Sequence, residues 1–422
     1  MGLISSSTGV QPLKLTRLLI FFSLIGPGLL TAIGNNDVGG IASNSAAGAN
    51  FGYSFLWILL IITVALTIVL DMNARMGVVT GKGLMDLIRE GFGLKWAAFS
   101  VVCLLIANVA TIISNFGGLA GGIEMFGLSK YIFVPVITLS IWYLVRKGTY
   151  KIVERGLIVI SMVVLSYIGS AFLANPDWGL VLKQTFIPSV QMHKDYIMLS
   201  IAFVGTTIAP WMLFFIQSMI VDKGLTKKHI NFVRWEVWIS SFFSGYVLSF
   251  FIIIASAATL FKHGVRITDI SDAAMALRPL AGEFAFILFA VGLLAAAVLA
   301  TFLLPLTTAY AVCEAFGFED GLNKTPEEAP IFYRIFSVLL FTGAVFVLIP
   351  GIPIFPLIIF AQVVAGLISP ILLIFILLLV NNRKLMGKYR NSLFFNIVSI
   401  AAVTGIVAMA AAYFLLSITG KA

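Results

Sequence analysis

The sequence predicts an all-α polytopic membrane protein of eleven spans: two five-helix repeats of opposite orientation and one additional helix. Three observations carry this expectation. Apolar runs of roughly 20 residues, the length of helix that crosses a bilayer, recur from end to end. Only 11% of the 422 residues are charged and 60% are hydrophobic, against roughly 25% charged in a soluble domain, so too little remains for a polar surface. The first and sixth runs are both interrupted near their middle. The runs are continuous rather than alternating, which excludes a β-barrel.

The first span is expected over 17–34, resuming at Ile41 after a break. The second to fifth follow over 53–73, 94–121, 131–145 and 152–174. The sixth covers 195–208 and resumes over 211–221; the seventh to eleventh follow over 233–260, 283–313, 331–349, 354–380 and 392–418. Repeats of an odd number of spans are necessarily inverted, which divides the chain into 1–175, 195–380 and a last helix over 392–422. Inverted repeats with paired broken helices mark secondary transporters, with the site at the breaks. The amino-terminal apolar run has no cleavable-signal pattern and reads as a retained helix.

The formal charge of +9 has a topological reading. With the amino terminus in the cytoplasm, 20 of the 27 basic residues fall in inward loops, and Lys130, Lys183, Lys194, Lys262, Arg266, Arg278 and Lys421 fall outside. This bias supports an amino terminus inside and a carboxyl terminus outside, and the chain is expected in an inner (plasma) membrane. No basic stripe is interleaved with aromatics, so nucleic acid is not an expected partner. The bilayer is one, and no obligatory protein partner or cofactor is implied. Cys103 and Cys313 are isolated, which excludes a thiolate site and a disulfide framework. No HExxH, GxSxG, Walker or dinucleotide fingerprint occurs in a suitable context, and His193, His229 and His263 fall in loops. Enzyme chemistry has no support.

The first break reads Gly34-Asn35-Asn36-Asp37-Val38-Gly39-Gly40. Glycine and asparagine are poor helix formers, and backbone unwound at membrane depth needs a cavity or a cation for its carbonyls. Asp37 adds a carboxylate where a charge costs roughly 2.5–3.5 kcal/mol on insertion scales, the usual mark of an ion or proton pathway. It also suits the N-cap of the second half-helix, and the two roles can coexist. The second break reads Gly205-Thr206-Thr207-Ile208-Ala209-Pro210-Trp211. Pro210 has no N–H and frees a carbonyl at Thr206; alone this is an ordinary kink, but as the symmetry mate of the Asp37 break it reads as functional. Gln362 in the tenth span offers an amide oxygen to a ligand or a hydrogen bond to a neighbouring helix. Asn108 and Asn115 in the third span read as packing contacts, Gln217 is ambiguous, and Thr307 and Thr308 are expected to bond back to their own helix.

At these breaks the sequence resembles the Nramp family of divalent-metal transporters. Gly26-Pro27-Gly28, Phe51-Gly52-Tyr53, Ala74-Arg75-Met76-Gly77-Val78-Val79-Thr80-Gly81 and Gln362-Val363-Val364 fit its pattern as well. The resemblance covers most of the chain. It implies a LeuT-like fold, an inside amino terminus and metal uptake, with Asp37, the Gly34 and Thr206 carbonyls and Gln362 as the metal ligands.

The departures are informative. The family's Asp-Pro-Gly-Asn is Asp37-Val38-Gly39-Gly40 here, so the Asn ligand is absent. Its Met-Pro-His is Ala209-Pro210-Trp211, so the thioether and the histidine associated with proton movement are absent. Its acidic pair in the third span falls on Leu105 and Asn108. This set resembles the Nramp-related magnesium transporter branch. Thioether ligands suit softer metals, whereas oxygen and water suit Mg²⁺, Ca²⁺ and Mn²⁺. Gly40, Ala209, Pro210 and Trp211 are therefore expected to shape a roomier site for partly hydrated Mg²⁺, or Mn²⁺, without strict proton coupling. The alternatives are a proton-coupled Mn²⁺/Fe²⁺ importer, an amino-acid or organic-solute transporter on the same fold, and a channel. Asp37 opposes an anionic solute, and no repeated pore signature or charged ring supports a channel.

Overall fold

In the computed structural model, residues 36–147, 162–191, 193–322 and 324–419 are described, and among them all regular structure is helical. The first half of the first span, Gly26-Pro27-Gly28, Gly34 and the first ten residues of the fifth span lie outside the described residues.

Helix α1 (Val38–Phe51) is rich in Ala and Gly and buried along nearly its whole length. It ends at Gly52, whose φ of 60° and ψ of −131° suit a residue without a Cβ. A 3-10 turn over Gly52–Phe55 then leads into α2 (Leu56–Thr80), so the second span starts three residues later than its hydropathy suggests. The short α3 (Leu84–Phe92) buries Leu84, Met85, Leu87 and Ile88, with Asp86 among them and Arg89 and Glu90 following. The third and fourth spans are α4 (Leu94–Met125) and α5 (Lys130–Arg146). The described end of the fifth span is α6 (Ser166–Leu173). A loop helix, α7 (Trp178–Phe186), is capped by Asp177, whose carboxylate accepts from Leu180 N.

The sixth span is two helices, α8 (Lys194–Thr207) and α9 (Pro210–Asp222). The seventh runs from α10 (Ile230–Ser240) through a π-helical segment, Ser241–Leu248, into α11 (Ser249–Thr259). The remaining spans are α12 (Ala285–Phe316), α13 (Pro330–Val347), α14 (Ile354–Asn381) and α15 (Leu393–Thr419). Eight helical stretches among the described residues are long and apolar enough to cross a membrane, the 17-residue α5 falling just short of that length.

Helix α4 packs on α12 and α14, α8 on α14, α1 on α11 and α9 on α2. The most apolar stretch of the sixth span is 100% buried, that of α15 only 11%. The broken helix therefore lies at the centre, and α15 stands at the rim with Phe394, Ile397, Ile400 and Val407 outward. Several polar side chains inside the bundle are tied to backbone or to each other, as a solvent without hydrogen-bonding capacity favours. Thr307 and Thr308 bond back to Leu303 O and Leu304 O as expected. Asn108 reaches Thr308 Oγ1 from α4 at 2.8 Å, and Gln217 reaches Lys82 O at 2.8 Å.

Candidate ion-binding site at the helix breaks

Asp37 sits at the N-cap of α1 in extended conformation, and its Oδ1 accepts from Gly40 N at 2.9 Å. The capping role expected for this residue is thus present. The other oxygen, Oδ2, accepts from Asn115 Nδ2 at 2.9 Å, while Asn115 Oδ1 accepts from Val38 N at 3.2 Å. The carboxylate is 5% exposed and has no ion pair among the described residues. Each oxygen keeps acceptor capacity beyond its one bond.

The preceding residue is held as firmly. Asn36 Nδ2 donates to Ser244 Oγ at 2.6 Å and to Ser244 O at 3.3 Å. Ser244 lies in the π segment of the seventh span, and π segments are frequent at functional sites. One turn pair further along α1, Asn44 donates to Ser249 Oγ.

The sixth span breaks where the sequence places it. Ile208 has φ −109° and ψ 59°, Ala209 is extended, and Pro210 is the first residue of α9. Thr206 closes the last turn of α8, where its carbonyl would need the N–H of residue 210, which proline lacks. Ser369 Oγ on α14 donates to Ile208 O at 2.8 Å. The carbonyl end of α8 carries the negative end of its helix dipole to the break. Ala209 and Trp211 are buried, and Trp211 packs against Phe215 at 5.9 Å between ring centroids.

Gln362 joins the two breaks. A Cβ built on Gly39 would lie 2.1 Å from Gln362 Nε2, so the side-chain amide rests directly on the first break. A Cβ on Gly205 would lie 1.9 Å from the Gln362 carbonyl oxygen and 2.4 Å from Gly366 N. Glycines at 39 and 205 are what allow α14 to touch both interrupted helices. Gln362 Nε2 is buried with no partner among the described residues.

The structure thus brings together Asp37, Gly40, Thr206, Ala209, Pro210, Trp211 and Gln362 around the two breaks. It adds Asn115, Asn36, Ser244 and Gly366. Sequence reasoning gave Asn115 to helix packing, whereas its side chain is bonded to the carboxylate itself. A signal existed: Asn108, Thr111 and Asn115 recur at helical spacing and are all nearly fully buried, which marks a polar stripe facing inward. Gly40 was expected only to free volume, but its amide also fixes Asp37. No group of three or more His, Cys, Asp or Glu is gathered among the described residues, so the donors near Asp37 are neutral oxygens and amides.

The family model for Nramp, "Natural resistance-associated macrophage protein-like", matches residues 28–417. The chain belongs to the Nramp family. Relatives include the divalent metal cation transporter MntH of Caldanaerobacter subterraneus subsp. tengcongensis, 26% identical over 384 residues and 88% of each chain. MntH of Bacillus subtilis is 26% identical over 396 residues, 91% of this chain and 90% of that one. Among solved structures, the Eremococcus coleocola manganese transporter superposes with a TM-score of 0.72 at 18% identity, over 95% of this chain and 87% of that one. Mhp1, a nucleobase-cation-symport-1 family transporter, gives 0.57 at 14% identity over 93% of both chains. The fold of this Nramp protein is accordingly LeuT-like.

Proposed function

We propose that this Nramp protein imports a divalent metal ion by alternating access, with partly hydrated Mg²⁺ as the preferred cargo and Mn²⁺ also carried. One observation supports the reading: the buried Asp37 carboxylate, which has no ion pair among the described residues, stands at the start of α1 where α14 joins it to the broken sixth span, among neutral oxygen donors. Asp37 is the direct ligand. The Thr206 carbonyl contributes from the end of α8, Gln362 binds directly or through water, and Gly34 contributes its carbonyl from the preceding segment. Mg²⁺ sheds water reluctantly and is usually held by one or two carboxylates with several waters retained. Ala209 and Gly40 leave room for that shell, and neither offers a soft donor.

The absence of the family's histidine at Trp211 and of its acidic pair at Leu105 and Asn108 supports transport without strict proton coupling. The membrane potential, about 2.3 kcal/mol per charge per 100 mV, is then sufficient to drive entry. The distribution of basic residues supports an inner-membrane location with the amino terminus in the cytoplasm. A manganese transporter among the structural neighbours favours Mn²⁺ as cargo, and the second reading is a proton-coupled importer of Mn²⁺ or Fe²⁺.

Isothermal titration of the purified protein separates these. The proposal expects Mg²⁺ and Mn²⁺ binding in the wild type, none in Asp37→Ala, and no proton release that depends on buffer. Tight Mn²⁺ binding with Mg²⁺ inert, and protons released, supports the second reading. Binding of an organic solute but of neither metal rejects both.

A further inference from the structure

Beyond the helix breaks, one other cavity is chemically distinctive. It has a volume of about 220 Å³ and opens between the end of α2, the start of α10 and the segment joining α14 to α15. Arg75, Arg234, Lys388 and Arg390 line it, together with Asn231 and Ser392, and no Asp or Glu is among the lining residues.

The four cations are not neutralised in place. Buried Asp71 accepts from Arg75 Nε and Arg234 Nε, both at 2.7 Å, so one carboxylate serves two guanidinium groups. Arg75 is further fixed by Tyr389 O and Asn391 Oδ1, each at 2.6 Å. Arg234 is partly exposed, and its terminal nitrogens donate no hydrogen bond to the described residues. Lys388 lies over the Tyr389 ring at 5.3 Å, and neither Lys388 nor Arg390 has an ion pair among the described residues. The pocket therefore carries a net charge of about +3 on a partly rigid frame, suited to the oxygens of a phosphate.

The surroundings favour a lipid over a soluble anion. Trp235, Ile239, Leu393 and Phe394 stand outward beside the pocket and are 61–77% exposed, which is the surface a bilayer covers. An apolar groove of about 550 Å³ runs from Ile397 along α15 against α2 and α8, starting within one helical turn of Phe395 at the pocket wall. Basic pockets between membrane helices on the cytoplasmic side are suited to anionic headgroups.

We infer that this pocket binds the phosphate headgroup of an anionic phospholipid, with an acyl chain laid along the α15 groove. No residue of either break lines the headgroup pocket, although the groove reaches Val204 and Ile208 on the outer side of the sixth span, and the inference does not depend on which ion is carried.

The test is native mass spectrometry of detergent-solubilised protein titrated with phosphatidylglycerol or phosphatidylcholine, beside thermal melting under the same conditions. Wild type is expected to retain and be stabilised by phosphatidylglycerol in preference to phosphatidylcholine. Lys388→Gln/Arg390→Gln should weaken retention at least about tenfold, Lys388→Arg/Arg390→Lys should keep it, and Arg390→Gln alone, at an exposed position, should give an intermediate loss. The exposed pair Lys95→Gln/Arg334→Gln serves as the charge-matched control and should behave as wild type. Equal retention in all variants overturns the inference, as does an equal loss in the control. Stabilisation by inorganic phosphate equal to that by phosphatidylglycerol would make this a soluble-anion site and also overturn it.

Discussion

Asp37 is held by two hydrogen bonds and has no ion pair among the described residues, and the residue opposite it decides how it is presented. Asn115 both donates to the carboxylate and accepts from Val38 N, so it fixes the carboxylate and the first turn of α1 together. A hydrogen bond to a charged group is worth about 1.5–3 kcal/mol. Asn115→Ala is therefore expected to raise the apparent KM for metal uptake roughly tenfold to a hundredfold, and an unchanged KM would detach Asn115 from the site. Ala209→Met returns a thioether to the break and should shift competition toward Mn²⁺ and Cd²⁺; an unaltered competition profile would mean that hydration elsewhere sets selectivity. Outside the spans, burial first, then Asp222 and Asp86, push Asp320 up to about 6 from 3.8. The folded state thus favours the neutral acid, and stability falls as pH rises between these values. Asp320→Asn should raise the melting temperature above pH ~7 and lose that advantage near pH ~4; a gain that is equal at both ends would place the effect outside titration.

At the scale of elements, the contact of α14 with both broken helices depends on missing Cβ atoms. Gly205 meets backbone atoms of Gln362 and Gly366, whereas Gly39 meets only the end of the Gln362 side chain. Gly205→Ala must separate α8 from α14, at a cost at or above the ~1–3 kcal/mol typical of overpacking. Gly39→Ala can be relieved by rotating the glutamine away. The expected outcome is a clear drop in melting temperature for Gly205→Ala, and a small drop with impaired uptake for Gly39→Ala. The reverse order would contradict the described packing. The break of the sixth span was legible, because Gly and Pro inside an apolar run have no other economical explanation; the half-helix before the first break lies outside the described residues. The π segment at Ser241–Leu248 was not legible, since its sequence is as apolar as an ordinary span and it packs on α2, a contact that exists only in the assembled bundle. Helix α3 was missed for a different reason: its four buried apolar residues lie among charges and make no long hydrophobic run.

For the molecule as a whole, the all-helical membrane class follows from hydropathy alone, whereas the central burial of the sixth span is seen only in the structure. Which polar residues face one another does not. Asn36 and Ser244 are 208 positions apart and Asn115 is 78 from Asp37, so these pairings exist only once the bundle has closed. The bonds from α1 to the seventh span, Asn36–Ser244 and Asn44–Ser249, suit a unit in which the first, second, sixth and seventh spans move against the rest. Such a carrier, driven by the potential alone, should take up metal without an imposed proton gradient and without acidifying the lumen, and strict dependence on that gradient would restore the proton-coupled alternative. The most direct test of the central claim is metal uptake into proteoliposomes by wild type and Asp37→Ala, reconstituted at equal density. Saturable Mg²⁺ and Mn²⁺ uptake is expected for the wild type and none above empty liposomes for Asp37→Ala; uptake at the wild-type rate by the variant would rule out Asp37 as the metal ligand.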